Sequence, residues 1–470
     1  MPSRDTDKVL AYLQSHHSQY RRELVEFLQI PSISALSDHK ADVHRTAQWL
    51  AARLRQAGIP RVQIDETPGH PIVYGEVITD PGNPTILVYG HYDVQPVDPL
   101  EQWTNPPFSP AIIDNILYAR GSSDDKGQVY MQIIAAEAWL KTHTLPVNLK
   151  FLFEGEEEIG SIHLAEYIQM HQQELHADVA VISDTPMFAP GVPAVCYGLR
   201  GLATLEIHID GPHQDLHSGV FGGAVANPAH VMAQLIADMH DDQGRVLIPG
   251  FYDHVDALSD EERKNFSSLP FDQEAFQQGT GVPQLYGEIG YSTLERVWSR
   301  PTLEVNGMWS GFIGEGRKTI VPHSAHAKIS CRLVPRQDPD RVLDHVIRFI
   351  HDHCPPYVNV QIERGEGDPG TLTPITHFAT QAAVEAIREI YKKDAAFIRM
   401  GGSIPVVVTF AQVLKIPTVL LGFALPDENF HAPNEHFHLD NFDKGAETIA
   451  MLWPLLKQTY LVQGGHHDNP

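Results

Sequence analysis

Apolar positions change their period from one segment of this chain to the next. From about Asp7 to Gln29 they fall at helical spacing, at Val9, Leu10 and Leu13, then at Leu24, Val25 and Leu28, until Pro31 stops the run. A second helical pattern covers about Ala41 to Ala57 and closes at Gly58. Apolar runs of strand length follow at Ile72–Ile78 and Thr85–Tyr89. A helix is predicted from about Gly127 to Leu140. Strands are predicted at Asn148–Phe153 and Val179–Ser183, with a helix around Ile162–His171 between them. Strands alternating with helices build an α/β fold, a mostly parallel sheet covered by helices.

The pattern changes near Gly201. Leu202–Asp210 alternates apolar and polar residues, as a strand with one exposed face does. A helix is expected at Pro228–Met239, strands at His326–Leu333 and Tyr357–Glu363, and a helix at Pro339–His353 between them. Asp241–Arg300, carrying Gly, Pro and charge, reads as irregular. Beyond Gly370 the first pattern resumes, with a helix at Pro374–Tyr391, strands near Ala396–Arg399 and Thr418–Gly422, and a terminal helix over Asp440–Leu461. Gly464–Pro470 is expected to be a disordered tail. The simplest organisation is one domain over residues 1–200 and 371–470, interrupted by a smaller α+β domain over 201–370.

The 470 residues are 42% hydrophobic, enough for more than one core. A formal charge of −25 argues against nucleic acid or an anionic membrane as partner, since both reward clustered Lys and Arg. No stretch approaches the roughly 18 apolar residues of a membrane span. Cys196, Cys331 and Cys354 form no paired motif, and the N-terminus shows no apolar leader. A reducing, cytoplasmic setting is expected.

The candidate chemistry lies at the ends of the predicted strands. Ile86–Tyr89 runs into Gly90-His91-Tyr92-Asp93, which puts an imidazole at a sheet edge with a carboxylate near enough to orient it. Downstream come Asp124-Asp125-Lys126-Gly127 ahead of a helix, Glu156-Glu157-Glu158 after a strand, Ile182-Ser183-Asp184 after another, and His431 in a late loop. Singly, these motifs are also met as helix caps or as acids favoured by a helix dipole. Together they are two histidines and several carboxylates at the ends of consecutive strands, and strands of one parallel sheet deliver their ends to one edge. The joint reading is a two-metal site in which one aspartate bridges ions roughly 3.5–4 Å apart. Mixed nitrogen and oxygen donors suit Zn2+, with Mn2+ or Co2+ admitted. Glu157, beside Glu158, is placed to act as base on a metal-bound water. Spacing alone does not separate His431 from His436 or His438.

These motifs, with Asp215-Leu216-His217-Ser218-Gly219, Trp298-Ser299-Arg300-Pro301-Thr302-Leu303 and Lys318-Thr319-Ile320-Val321-Pro322, resemble M20-family metallopeptidases, in particular the cytosolic non-specific dipeptidase and carnosinase group. The resemblance covers nearly the whole chain. It implies a zinc-exopeptidase-like catalytic domain with the inserted domain serving as dimerisation (lid) domain. It implies that His91 and Asp184 hold one ion, that Glu158 and His431 hold the other, and that Asp124 bridges them. It further implies that Asp93 orients His91, that Glu157 is the general base and that the Asp124–Asp125 peptide is cis. His217 would reach the partner's site in a homodimer, and Arg332, Thr319 and Ser403 would contact the substrate. The implied activity is hydrolysis of dipeptides or similar short amides with a free carboxylate. N-acyl-amino-acid deacylation by the same machinery is the alternative, and a non-catalytic metal-binding dimeric interaction protein is a remoter one.

Overall fold

Every residue of strands Asn148–Glu154 and Val179–Ile182 is buried, as is all of Thr85–His91 after its first position. Strands covered on both faces have this burial. The three pair in parallel, with Thr85–His91 in the middle. Thr418–Leu420 joins Val179–Ile182 in the same sense. The margins are antiparallel, with Arg61–Asp65 and Ile72–Val77 on one side and Ala194–Leu199 on the other.

The computed structural model describes residues 4–402 and 404–463, so the tail Gly464–Pro470 lies outside the described residues. The chain divides into two compact units. The first contains this sheet and is built from three stretches: the chain up to Tyr197, Thr373–Ile398, and the chain from Pro405. The second comprises Gly198–Leu372 and Arg399–Ile404.

In the first unit, helices Arg4–Leu28, Lys40–Ala57, Phe378–Tyr391 and Leu439–Val462 each send an apolar stripe into one core. Helix Lys126–Thr142 differs, because every residue from Lys126 to Trp139 is buried. A helix without a polar face belongs to the interior. Its first turn is therefore held rigidly, and the turn before it carries Asp124.

In the second unit, Gly201–Asp210 alternates buried and half-buried residues along its whole length. It lies between Ser324–Leu333 and Asn359–Asp368, and Thr302–Ser310 completes an antiparallel sheet beyond Ser324–Leu333. Ile207, Ile209, Met232, Val346 and Ile350 share the core on one face, beneath helices Pro228–Ala237 and Pro339–His353. Strand Thr302–Ser310 escapes the sequence pattern because an edge strand buries little, here only Leu303. Asp241–Arg300 is not irregular throughout. It contains helices Asp260–Ser268, Gln273–Thr280 and Thr293–Ser299. Capping boxes, Ser259 with Glu262 and Ser292 with Glu295, start two of them. The first buries only Phe266 and the second buries nothing, so no apolar period marks them.

Candidate metal centre

Parallel strands end at one edge, and three of them deliver ligand-type residues there. His91 is the last residue of Thr85–His91. Glu157 and Glu158 open the 3-10 turn Glu157–Ile159 just after strand Asn148–Glu154. Asp184 closely follows strand Val179–Ile182. Asp124 arrives from the turn ahead of helix Lys126–Thr142, across a cis Asp124–Asp125 peptide. His431 comes from a loop, at a left-handed φ of 58°.

Asp124 sits between two imidazoles. Its Oδ1 is 3.1 Å from His91 Nε2, and its Oδ2 is 2.9 Å from His431 Nε2. His431 Nε2 is also 3.3 Å from Glu158 Oε2. Two ligand groups thus share Asp124. One is His91, Asp124 and Asp184, the other Asp124, Glu158 and His431, and within each the donor atoms lie within 4.8 Å of one another. His436 and His438 stand on the short strand His436–His438 and point elsewhere. His436 Nδ1 is 3.0 Å from Asn434 O, and His438 Nδ1 is 2.7 Å from Glu428 Oε1.

The electrostatics ask for cations. Burial raises the carboxyls of Asp184, Glu157 and Glu158, the last to about 8. Burial pushes Asp124 the same way, but its contacts with His431 and His91 outweigh that and hold it low. For His91 burial works against the charged ring, and the bonds to Asp124 and Asp93 overcome it and raise the group. Asp124 lifts His431 to about 9. The buried carboxylates thus lean on the two imidazoles, and any further stabilisation calls for positive charge. Two imidazoles and two further carboxylates around a shared aspartate are a donor set that fits divalent ions.

Supporting groups pin this arrangement. The Asp93 carboxylate accepts from Glu157 N at 3.2 Å and from Glu158 N at 3.1 Å. Its Oδ1 lies 3.4 Å from His91 Nδ1, which is nearer, at 3.1 Å, to the carbonyl oxygen of the same residue. Asp93 therefore braces the acidic turn as well as the ring. Sequence reasoning missed three further supports. Asp125 Oδ2 accepts from His91 N at 3.3 Å, and Gln95 Nε2 donates to Glu158 Oε2 at 2.7 Å. The third is Glu435, fully buried. It accepts from Arg120 Nη1 and Gly121 N, each at 2.8 Å, from Ser123 N at 3.0 Å and from Asp124 N at 3.2 Å. No local signal could have found Glu435, because Arg120 lies 315 positions away in the chain.

The remaining expected residues belong to the second unit. His217 caps the short helix Ser218–Phe221, its Nδ1 accepting from Gly219 N at 3.0 Å, and it is exposed. Leu216–His217 pairs with Ile320–Val321, and Ser218 N donates to Thr319 O, so the exposed Thr319 lies on the same ribbon. Asp215 braces that ribbon through Lys318 at 2.7 Å and His323 at 2.9 Å. Arg332 is half-buried on the polar face of Ser324–Leu333. Ser403 lies outside the described residues.

Residues 87–454 match the model of peptidase family M20/M25/M40. The chain is 32% identical to the Cys-Gly metallodipeptidase DUG1 of Candida albicans, over 92% of this chain and 93% of that protein. It is 29% identical to the Beta-Ala-His dipeptidase of Homo sapiens, over 97% of this chain and 93% of that protein. Among solved structures, the M20 family metallo-carboxypeptidase Sso-CP2 of Sulfolobus solfataricus superposes with a TM-score of 0.81 at 33% identity, covering 93% of this chain and 99% of that one. The aspartate shared by two ligand-type groups and these whole-length likenesses agree, and the chain belongs to peptidase family M20/M25/M40.

Proposed function

We propose that this enzyme hydrolyses dipeptides, or similarly short amides, that carry a free C-terminal carboxylate. The observation that carries the reading is the convergence of His91, Asp184, Glu158 and His431 on Asp124. The Cys-Gly and Beta-Ala-His dipeptidases among the relatives point to the substrate class. His91 and Asp184 would hold one divalent ion and Glu158 and His431 the other, with Asp124 common to both groups. Zn2+ is the proposed metal, and Mn2+ and Co2+ are compatible with the same donors. When bound, such ions polarise a carbonyl and acidify water.

Glu157 is the general base. Burial raises its carboxyl toward the range where a base works at neutral pH. It takes a proton from the attacking water as the water oxygen bonds to the carbonyl carbon. It returns that proton to the amine nitrogen as the C–N bond breaks. Asp93 keeps Glu157 in place through its main-chain N–H. His217, exposed on its ribbon, is supplied by the second subunit of a homodimer formed by the inserted domain, and it donates to the developing oxyanion. Arg332 binds the free carboxylate with its planar guanidinium, and Thr319 and Ser403 contact the substrate.

Product analysis by mass spectrometry over a panel of dipeptides and N-acyl amino acids tests the reading, with Zn2+, Mn2+ or Co2+ supplied. Two free amino acids are expected from dipeptides. Cleavage confined to N-acyl amino acids would replace this reading with deacylation. Mixing His217→Ala subunits with Asp124→Ala subunits should restore part of the activity. No recovery in a confirmed heterodimer would exclude His217 as a cross-subunit group.

A further inference from the structure

Strand Gly201–Asp210 has a neighbour on each side in the second unit's sheet, and its alternation buries Leu205, Ile207 and Ile209 in that unit's core. Glu206 and His208 therefore stand on the opposite face. Register fixes what they meet there. Glu206 is opposite Lys328 on one side and Glu363 on the other, and His208 is opposite His326 and Gln361. Two carboxylates placed directly across a strand pair repel. Lys328 relieves the first of them, its Nζ lying 2.8 Å from Glu206 Oε1. Glu363 instead leans toward His208, its Oε1 3.6 Å from Nε2 of the ring, which is too far for a hydrogen bond.

The His208 ring is held from its other side. Its Nδ1 is 2.7 Å from Nδ1 of His326, a contact in which one nitrogen donates and the other accepts. His326 Nε2 is 3.0 Å from Ser324 Oγ, and the His326 ring stacks on Trp309 with centroids 5.1 Å apart. Burial, and then the neighbouring His208, pull His326 below the usual imidazole range, which favours a neutral ring that can accept. The tautomer in which His208 donates lets His326 pass its own N–H to Ser324 and leaves His208 Nε2 as a bare lone pair. That atom is shut off from solvent and makes no hydrogen bond among the described residues. A metal-bound histidine is held in this way, with one nitrogen on the ion and the other N–H on a partner. The spacing agrees. Ligands about 2.0–2.2 Å from a tetrahedral ion stand roughly 3.3–3.6 Å apart. Donor atoms of Glu206, His208 and Glu363 all lie within 4.8 Å of one another.

We infer that Glu206, His208 and Glu363 form a further site for a divalent transition-metal ion, Zn2+ by its donor set, which clips strand Gly201–Asp210 to strand Asn359–Asp368. The ion turns the repulsion between the two glutamates into shared ligation and gives the His208 lone pair its partner. Water takes the fourth position. Lys328 is the ion's competitor, because it already holds one oxygen of Glu206. All the donors belong to the second unit and none belongs to the metal centre, so the site does not depend on the proposed hydrolysis.

Zn2+ titration of the full-length protein, read by calorimetry and by elemental analysis, tests the inference. The parent should bind one equivalent more than His208→Phe, and Glu363→Gln should weaken that equivalent at least tenfold. Glu363 is exposed on an edge strand, so its variant tests the site even if His208→Phe fails to fold. Lys328→Gln frees Glu206 and should tighten the same equivalent at least threefold. Hydrogen exchange read by mass spectrometry supplies a second measure. Zn2+ should slow exchange at least fivefold in peptides from Gly201–Asp210 and Asn359–Asp368 of the parent. Both variants keep the metal centre, so protection that arises there appears in every protein and subtracts out. Equal stoichiometry and affinity in the parent and Glu363→Gln overturn the inference. So does strand protection that Glu363→Gln retains in full, or a Lys328→Gln protein that binds no more tightly than the parent. If no dipeptide is cleaved while the added equivalent persists, the hydrolysis fails and this site stands.

Discussion

Glu435→Gln changes one buried oxygen to an amide nitrogen and should loosen the turn that carries Asp124. In the parent, Oε2 accepts from Arg120 Nη1 and Gly121 N. Oε1 accepts from Ser123 N, Ser123 Oγ and Asp124 N. An amide offers one accepting end. Turned to keep Arg120 satisfied, it points its NH2 at two main-chain N–H groups, and donor meets donor. The reverse orientation would leave Arg120, 1% exposed, facing the NH2, which costs more because a buried charge loses its partner. Each stripped buried N–H costs about 1–3 kcal/mol. With some relief by movement, the local cost is about 3 kcal/mol, which corresponds to roughly 100-fold faster local opening.

Hydrogen exchange read by mass spectrometry on peptides containing Gly121–Asp124 measures this directly. Peptides from helix Phe378–Tyr391, in the same unit, serve as the control for global loosening. Asp124 belongs to both ligand groups, so its displacement should also weaken metal binding about 10- to 100-fold, read by chelator competition. If the turn exchanges at the parent rate and metal affinity is unchanged, Glu435 does not hold it.

Glu157→Gln should retain both ions by elemental analysis while turnover falls about 10²- to 10⁴-fold; turnover at the parent rate would remove Glu157 as base. Asp93→Ala frees Glu157 N, Glu158 N and one contact of the His91 ring, so metal affinity should fall about 10- to 100-fold in the same competition assay. Unchanged affinity would mean that the main-chain carbonyl alone orients His91. Gly127→Ala would set a Cβ 2.0 Å from Ser122 O and 2.8 Å from Phe437 Cδ1, and should cost about 1–3 kcal/mol in chemical unfolding of the chelated protein. An unfolding midpoint equal to the parent's would show that the turn before the buried helix yields freely.

The candidate ligand positions were legible as a cluster because topology turned sequence separation into proximity. His91, Glu158 and Asp184 stand at or just beyond the ends of strands whose burial shows in their apolar runs, and parallel pairing brings those ends together. The choice among His431, His436 and His438 was not legible. It depends on the course of an irregular loop, which aims His431 at Asp124, and on the short strand His436–His438 that follows it, where His438 is anchored on Glu428. Helices Asp260–Ser268 and Gln273–Thr280 were missed for a different reason. Both are exposed enough to bury almost nothing, so only end signals announced them, the Ser259-Glu262 capping box for the first and the Asp272 and Gly281 caps for the second.

Glu435 and Arg200 mark a limit of another kind. Each acts on a backbone turn far away in the chain, Glu435 on Gly121–Asp124 and Arg200 on Gly401. Neither continues a period: Glu435 precedes the short strand His436–His438, and Arg200 is the single residue between strands Ala194–Leu199 and Gly201–Asp210. A ligand-type residue advertises itself through its neighbours in sequence, because the strand that delivers it has a pattern. A residue that supports a turn through main-chain bonds has no such pattern, because its partners are N–H and C=O groups that every residue type presents. The glycines are the trace such contacts leave. Gly401 lies against Arg200, and Gly127 lies against Ser122 O in the turn that Glu435 holds, each so close that a side chain would collide. In this fold, then, strand ends point to the candidate chemistry, and glycines packed against a turn or a buried side chain mark where the backbone is held.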